Sequence, residues 1–244
     1  MLHIVGKVET FRELVDVVLT VVEEVKLVFN PEGIRIRTVD PAHIAMVDLT
    51  LGKEAFEKYE ADEMEVGLSM NKFSKVLSLA EAGTEITLKI ANETNEVVIT
   101  FGNLERKMIL IDTANLTEPK MPDLKLPATI TVQAHEVRQA IKISMDITDY
   151  ISISVDENRF ILENSGDTGS AKLELLKEKL EELECESPIT SMFALDYFSK
   201  MIKSIKKSEL VRMHLGNAYP IKVEFTIAGQ NGMVTYLLAP RIES

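Results

Sequence analysis

Apolar residues recur at helical spacing in two segments that lie half a chain apart. In TFRELVDVV they stand one, four, five and eight residues after Thr10, on one face of a helix. The segment EVRQAIKIS, from Glu136, has the same spacing up to its final serine. Two further segments, from Phe73 and Phe198, open with FSK and continue with a helix-like pattern. Each then changes to a strand-like pattern. The sequence therefore predicts four helices, at Thr10–Val22, Met70–Ala80, Ala134–Met145 and Leu195–Ile205.

Strand-like segments fill the intervals in the same order in both halves. GIRIRTV and RFILEN follow the first helix of each half, and AMVDLTL and AKLELL come next. Three strand-like runs follow each second helix: EITLKI, EVVITF and KMILI, then LVRMHL, IKVEFTI and MVTYLL. An order that is kept from end to end indicates duplication of a strand–helix–strands–helix–strands unit.

A proline-rich segment separates the two halves. NLTEPKMPDLKLPATI contains Pro119, Pro122 and Pro127. Because proline fixes φ and removes a hydrogen-bond donor, we expect an extended connector. The expected division is an N-terminal domain at residues 1–114, a connector at 115–127 and a C-terminal domain at 128–244.

Helix propensity and duplication disagree at LELLKEKLEELECE, Leu173–Glu186. The spacing and the strong helix formers favour a helix. The equivalent segment of the first half is interrupted by Gly52, which disfavours one. We give the duplication precedence and expect a strand, a charged loop with one helical turn, and a second strand.

The composition describes a cytoplasmic protein with a packed core. The chain has 244 residues, 45% of them hydrophobic, which is enough for two domains. No apolar run approaches the roughly 18 residues of a membrane span, and the N-terminus lacks the pattern of a signal peptide. The single cysteine, Cys185, excludes an internal disulfide and fits a reducing compartment.

The charge is unevenly distributed along the chain. A net charge of −12 argues against nucleic acid if it is spread uniformly, because phosphate repels an acidic surface. Basic residues nevertheless concentrate in and just after the helices: Arg12, Lys72, Lys75, Arg138, Lys142, Lys200, Lys203, Lys206 and Lys207. They are either solvated helix faces or one surface that contacts phosphate. Since no aromatic residues alternate with them, a nucleic acid would be contacted through its backbone, without sequence preference.

The sequence shows no catalytic or metal site. The four histidines are scattered, and no phosphate-binding glycine loop is present. Asp40 and His43, in VDPAH, are better explained by turn chemistry than as a metal or catalytic pair. Cys185 lies among glutamates, which raise the pKa of a thiol and disfavour a nucleophile. We therefore expect a protein that is not an enzyme and has no metal or cofactor.

Three motifs resemble one known family. They are TVDPAHIAMVDL at Thr38–Leu49, SMFALDYFSKM at Ser191–Met201 and YLLAPRIE at Tyr236–Glu243. With the duplication, the whole chain is similar to the archaeal sliding clamps, homologues of the proliferating cell nuclear antigen. The resemblance implies an α+β clamp fold of two duplicated domains, each with two helices on one face of antiparallel sheets. It also implies a homotrimer that closes into a pseudo-six-fold ring.

The resemblance further implies the function and its partners. Such a ring encircles double-stranded DNA, and its helices line the hole, where the basic residues named above would contact phosphate. It tethers DNA polymerase and other replication and repair enzymes, including the clamp loader, flap endonuclease and DNA ligase, through short hydrophobic motifs. The first helix departs from this pattern because Glu13 and Asp16 outnumber Arg12. A lysine that is modified in eukaryotic relatives is replaced by the turn Asp156–Asn158.

A partner-peptide pocket is implied beneath the connector. By position it comprises Val39, His43, Met46, Met121, Leu124, Leu126, Pro220, Leu237, Ala239 and Pro240, with His43 at the rim. The alternative is that these residues belong to the domain cores. Leu124 and Leu126 are harder to explain in that way, because they stand in a proline-rich connector.

Ring closure is implied between edge strands, with Lys107–Asp112 pairing with Ser170–Leu175 of the next subunit. The interface residues would be Lys107, Ile109, Ile111, Ala171, Leu173 and Glu174, with an ion pair between Lys107 and Glu174. Three alternatives stay open: a subunit of a heterotrimeric clamp, a non-ring or checkpoint-type clamp, and a carboxylate-dependent nuclease, for which no carboxylate cluster is found.

Overall fold

The computed structural model describes residues 1–90 and 95–241, which form two compact units. The first unit comprises Met1–Asp40, Met46–Lys120 and Thr226–Val234. The second comprises Pro41–Ala45, Met121–Phe225 and the described residues from Thr235 onwards. Ile242 and Glu243, the last apolar and acidic residues of the YLLAPRIE motif, lie outside the described residues.

The elements repeat in the predicted order. The first half comprises β1 (Leu2–Lys7), α1 (Val8–Leu19), β2 (Glu24–Asn30), β3 (Gly33–Val39), β4 (Ala45–Gly52), β5 (Lys58–Ala61), β6 (Met64–Ser69), α2 (Met70–Leu77), β7 (Glu85–Ile90), β8 (Glu96–Phe101) and β9 (Leu104–Ile109). The second half comprises β10 (Ala128–Gln133), α3 (Ala134–Ser144), β11 (Tyr150–Val155), β12 (Arg159–Gly166), β13 (Gly169–Leu176), β14 (Glu182–Cys185), β15 (Ile189–Ala194), α4 (Leu195–Ser204), β16 (Leu210–Leu215), β17 (Ile221–Ile227) and β18 (Gly232–Leu238). The α+β fold with two duplicated halves is confirmed.

The first unit buries one face of each helix against two antiparallel sheets. One sheet has the strand order β5-β1-β7-β8-β9, and the other includes β4-β3-β2-β6. Its core gathers apolar side chains from both sheets and both helices, among them Leu2, Phe29 and Leu88. Phe11 of α1 packs edge-on against Phe73 of α2, with ring centroids 6.1 Å apart. The apolar residues that recur at helical spacing in the sequence therefore form the buried face of each helix.

The second unit repeats the arrangement. One sheet has the order β13-β12-β11-β15, and the other includes β14-β10-β16-β17. On α3 the buried apolar residues are Ala134, Val137, Ala140 and Ile141, and on α4 they include Phe198 and Ile202. Ser144, which breaks the apolar spacing of α3, is buried and donates its hydroxyl hydrogen to the Ala140 carbonyl at 2.8 Å. A local hydrogen bond thus satisfies the one polar group on that face.

The charged segment Leu173–Glu186 has the structure that the duplication predicted. The strand β13 ends at Leu176, a single 3₁₀ turn covers Lys177–Lys179, and β14 follows. The first half has the same sequence of elements, with a 3₁₀ turn at Lys53–Ala55. Cross-strand pairing has overridden helix propensity here.

The helix bounds differ from the predicted ones at several ends. α1 begins two residues earlier, at Val8, because β1 runs directly into it, and it ends at Leu19. α2 ends at Leu77, and α3 and α4 end one residue short of the prediction. Residue Ile205 has extended backbone angles, φ −83° and ψ 133°, which stop α4. Residues 116–127 form neither helix nor strand.

The last predicted strand of the first half, KMILI, ends earlier than expected. β9 stops at Ile109, and the chain then turns so that Ile111 bridges Gly67 of β6. The Ile111 N–H donates to the Gly67 carbonyl at 2.8 Å. Ile111 therefore lies outside the edge strand to which the sequence assigned it.

We expect Gly67→Ala to destabilise the first unit. A Cβ at this position would lie 2.2 Å from the Ile111 carbonyl oxygen, so the backbone would have to move. Overpacking of this kind costs about 1–3 kcal/mol, to be measured by urea unfolding. Gly52→Ala is the matched control, because its nearest neighbour is the flexible Glu54 carboxylate at 2.9 Å. Equal stability of the two variants would contradict the expectation.

Candidate nucleic-acid and partner interfaces

The predicted lysines are exposed, in the helices and just after α4. Lys72 and Lys75 of α2 are exposed in the first unit. In the second unit the exposed lysines are Lys142, Lys200, Lys203, Lys206 and Lys207. Lys200 lies 3.5 Å from the Asp196 carboxylate and above the Tyr197 ring. Burial of the apolar faces therefore leaves the lysines directed to solvent.

A basic groove runs between α3 and α4 of the second unit. Its volume is about 520 Å³. Its polar lining includes His135, Arg138, Lys142, Lys203 and Lys207, and Ile141, Met145 and Ile202 supply apolar surface. No acidic side chain lines it among the described residues. The sequence analysis did not assign His135 to this surface. Its position three residues before Arg138, which puts both side chains on one face of α3, was the available signal.

A second groove lies beside α2 in the first unit. Its volume is about 350 Å³, and Lys72 and Lys75 line it together with Arg106. Arg106 stands on β9, and the sequence analysis did not include it in the basic surface. The alternation of residues along a strand does not show which helix a side chain will contact. Exposed apolar residues contribute to the same groove; Leu104 and Leu79 are 54% and 70% exposed.

Arg12 and Arg138 differ from the lysines because their guanidinium groups bind helix ends. Arg12 donates from Nη2 to the carbonyls of Leu77 and Ala80, both at 2.7 Å. Arg138 donates from Nε to the Ile202 carbonyl at 3.2 Å and from Nη2 to the Lys203 carbonyl at 2.6 Å.

A third carbonyl, that of Ile205, also accepts from Arg138 Nη2. The last carbonyls of a helix have no partner within the helix, and a cation is favourable near them. Each duplicated arginine thus caps the second helix of its own unit. Burial lowers the pKa of Arg138 from its ordinary value, but the group remains a cation at neutral pH.

The predicted pocket residues of the second unit are mostly half-buried. Leu237 is buried, whereas Met121, Leu124, Leu126, Pro220, Ala239 and Pro240 keep part of their surface exposed. Leu126 lies against Gly216, where a Cβ would come within 3.3 Å of its Cδ2. The N–H of Ala239 donates to the Ile44 carbonyl at 2.8 Å. Partial exposure of neighbouring apolar side chains is typical of a binding surface.

His43 is exposed in a loop with a left-handed backbone, φ +57°. The loop begins at the buried Asp40, and Pro41 follows it. In the first unit, Val39 and Met46 face each other in the β3–β4 ladder, and both are half-buried. Neither residue is sequestered as a core residue would be.

The predicted interface residues lie on two edge strands. β9 and β13 stand at the ends of their sheets. Ile109 is 77% exposed, and Ala171 and Leu173 are half-buried. Lys107 lies 3.5 Å from Glu96, while Glu174 accepts from Lys172 at 2.6 Å and Arg159 at 3.2 Å. Hydrogen bonds from Lys172 and Arg159 lower the pKa of Glu174.

Cys185 has the properties of an unreactive thiol. Burial raises its pKa above the ordinary value, and the carboxylates of Asp156 and Glu157 add to the effect. The sequence analysis attributed a raised pKa to neighbouring glutamates, whereas burial is the larger cause. Among residues 1–90 and 95–241, no group of three acidic, histidine or cysteine side chains is placed to hold a metal ion. No helix within those ranges is long and apolar enough to cross a membrane.

Two family models together match nearly the whole chain. The proliferating cell nuclear antigen N-terminal domain matches residues 5–119, and the C-terminal domain matches residues 120–241. A DNA polymerase sliding clamp of Methanosarcina barkeri is 35% identical over 97% of this chain and 96% of its own length. One from Halobacterium salinarum is 36% identical over the full length of both chains.

Solved structures agree with the sequence relatives. A structure described as "C-terminal region of FEN-1 bound to A. fulgidus PCNA" has a TM-score of 0.93, 31% identity and complete coverage of both chains. PCNA from Thermococcus kodakaraensis has a TM-score of 0.91 and 25% identity, over 99% of this chain and 100% of that one.

We expect Arg138→Gln to destabilise the second unit. Three helix-end carbonyls would lose a charged donor, which costs about 1–3 kcal/mol in the free energy of unfolding. Lys142→Gln, on the same helix but exposed, is the matched control and should change stability by less than about 0.5 kcal/mol. Chemical unfolding of both variants is the measurement. A loss in the lysine variant as large as that in the arginine variant would refute the capping role.

Proposed function

Because this chain belongs to the proliferating cell nuclear antigen family, we propose that it encircles double-stranded DNA as a DNA polymerase sliding clamp. The observation that carries the proposal is the full-length match to two clamp-domain models, together with two structurally repeated halves. The family consists of processivity factors that tether other enzymes and catalyse nothing themselves. A cytoplasmic location is part of the proposal, and the similarity to archaeal DNA polymerase sliding clamps supports it.

The DNA-facing surface is proposed to be that of the four helices. The exposed lysines supply loose phosphate contacts: Lys72, Lys75, Lys142, Lys200, Lys203, Lys206 and Lys207. Arg12 and Arg138 contribute positive charge while holding the helix ends. The basic groove between α3 and α4 supports this assignment. Weak contacts without base reading suit a ring that must slide, since its topology retains it on the duplex.

The proposed partner pocket consists of the residues that correspond by position to the pocket of the family. The half-buried apolar side chains of the connector, of Pro220 and of Ala239 and Pro240 support it. The A. fulgidus relative binds the C-terminal region of FEN-1. By analogy, this chain would bind short hydrophobic segments of DNA polymerase, the clamp loader, flap endonuclease and DNA ligase.

Ring closure is proposed between β9 of one subunit and β13 of the next. Both are edge strands, and an unpaired edge offers hydrogen-bonding groups to a neighbour. The apolar Ile109, Ala171 and Leu173 keep exposed surface that such pairing would cover. The domain division proposed with it is 1–114, 115–127 and 128–244. A heterotrimeric clamp, in which the same edges meet a sister subunit, is the second candidate.

A ring of three subunits would have a mass of about 82 kDa, three times the chain mass of 27.3 kDa. Light scattering on a size-exclusion peak, across a dilution series, measures it. The ring should then be retained on closed circular DNA and lost from the same DNA after linearisation, because topology alone holds it. A particle of chain mass at every concentration would exclude the self-sufficient ring and favour the heterotrimer.

A variant with Leu124→Ala and Pro240→Ala should lose stimulation of a DNA polymerase and keep the mass of the ring. Both side chains keep exposed surface in the proposed pocket, and neither lies on β9 or β13. Primer extension on circular template measures stimulation. Met233→Ala is the control, since Met233 is exposed and apolar but outside the pocket. Full stimulation by the double variant would show that the pocket lies elsewhere.

A further inference from the structure

The first end of the connector is held by a cluster of four charged side chains. Glu118 accepts from Nη2 of Arg35, and its Oε1 lies 3.8 Å from Nη1 of Arg37. Arg37 donates from Nη2 to Asp48 at 2.6 Å, and Arg35 Nε lies 4.0 Å from the same carboxylate. All four residues belong to the first unit. The two positive charges are balanced by two negative charges, one of which is the carboxylate at position 118.

Three members of the cluster are less exposed than the ion pair between Glu32 and Lys53, and Arg35 is 39% exposed. Arg37, Asp48 and Glu118 are 19%, 18% and 28% exposed, whereas Glu32, which pairs with Lys53, is 79% exposed. Partial burial reduces screening by water and salt and strengthens the attraction. The hydrogen bond that Arg37 donates to the Asp48 carboxylate raises the pKa of Arg37 above its ordinary value.

The cluster stands beside two pocket residues on the same face of the same ladder. Arg37 lies opposite Asp48, and the next pair on that face, two residues along each strand, is Val39 opposite Met46. Side chains two apart on a strand point to the same face. The charges that hold Glu118 are therefore immediate neighbours of Val39 and Met46.

The other end of the connector is held by packing in the second unit, where Leu126 lies against Gly216. Only Pro119–Lys125 separates the two attachments, and this span contains the pocket residues Met121 and Leu124. Pro119 and Pro122 restrict its backbone further. A short, stiff segment that is fixed at both ends has few conformations left to lose when a partner binds.

We propose that Glu118 is a positioning residue for partner binding: its ion pairs with Arg35 and Arg37 fix the start of the connector and present Met121 and Leu124 to the partner. The proposal rests on the proposed function of the pocket. Without this cluster of Arg35, Arg37, Asp48 and Glu118, the connector would populate more conformations. The partner would then bind only the fraction in which the pocket is formed.

Glu118→Gln tests the proposal because it keeps the shape of the side chain and removes its charge. The probe is a synthetic peptide of the FEN-1 C-terminal region that the A. fulgidus relative binds, measured by fluorescence anisotropy. We expect binding to weaken roughly fivefold or more, a typical coupling between linked sites. The affinity of the wild type for the peptide should fall with added salt more steeply than that of the variant, since salt screens the ion pairs of the cluster.

Amide hydrogen exchange separates positioning from general stability. In Glu118→Gln, exchange should accelerate in residues 117–125 and stay unchanged in β3 and β4, with the melting temperature preserved. Glu32→Gln is the matched control, because it removes a carboxylate from an exposed ion pair of the same unit. The double variant Glu118→Arg with Arg35→Glu exchanges the two charges. It should recover part of the affinity for the peptide that Glu118→Gln loses.

Each outcome decides the proposal. Unchanged peptide affinity in Glu118→Gln, with a wild type that binds, would overturn it. Acceleration of exchange throughout the unit, with a lower melting temperature, would also overturn it and assign Glu118 to stability alone. If the wild type does not bind the peptide, the assignment of the pocket fails instead. The exchange of residues 117–125 then still shows whether Glu118 holds the connector.

Discussion

The four helices exist only because one face of each is buried against the sheets of its unit. They have 12, 8, 11 and 10 residues, and isolated helices of that length are marginal in water. Burial of residues such as Phe11 and Phe198 therefore supplies most of their stability. The same constraint directs every lysine of these helices to the opposite side. The exposed basic face is thus a consequence of packing, and the proposed contact with DNA would take place there.

That consequence reconciles an acidic chain with a duplex partner. A net charge of −12 opposes contact with DNA over most of the surface, while the helices present lysines without interleaved acids in the groove between α3 and α4. Repulsion elsewhere helps a ring because it limits binding to the outer surface. The first helix contributes least to this pattern. Its Glu13 carboxylate accepts from the Ala228 N–H at 2.8 Å, so this acid has a structural partner within its unit.

The sequence was informative wherever one periodicity or one repeat decided the structure. The order of elements followed from the duplication, and the repeat also resolved Leu173–Glu186 against its helix propensity. Periodicity could not show contacts between residues distant in the chain. The end of α2 depends on Arg12, sixty-five positions from Leu77, and the turn after β9 depends on Gly67. Arg106 and His135 were missed for the same reason, because only the folded unit places them in a groove with lysines.

The proposed role of the connector depends on contacts of the same distant kind. Its composition, with three prolines and scattered apolar residues, predicts an extended segment but not where that segment is held. A free chain of this length would lose backbone entropy on binding, at about 1–2 kcal/mol for each residue that becomes fixed. Attachment through Glu118 at one end and Leu126 at the other removes part of that loss before any partner arrives. The side chains between the attachments keep exposed surface, so a pocket can be pre-formed and still be open to many partners.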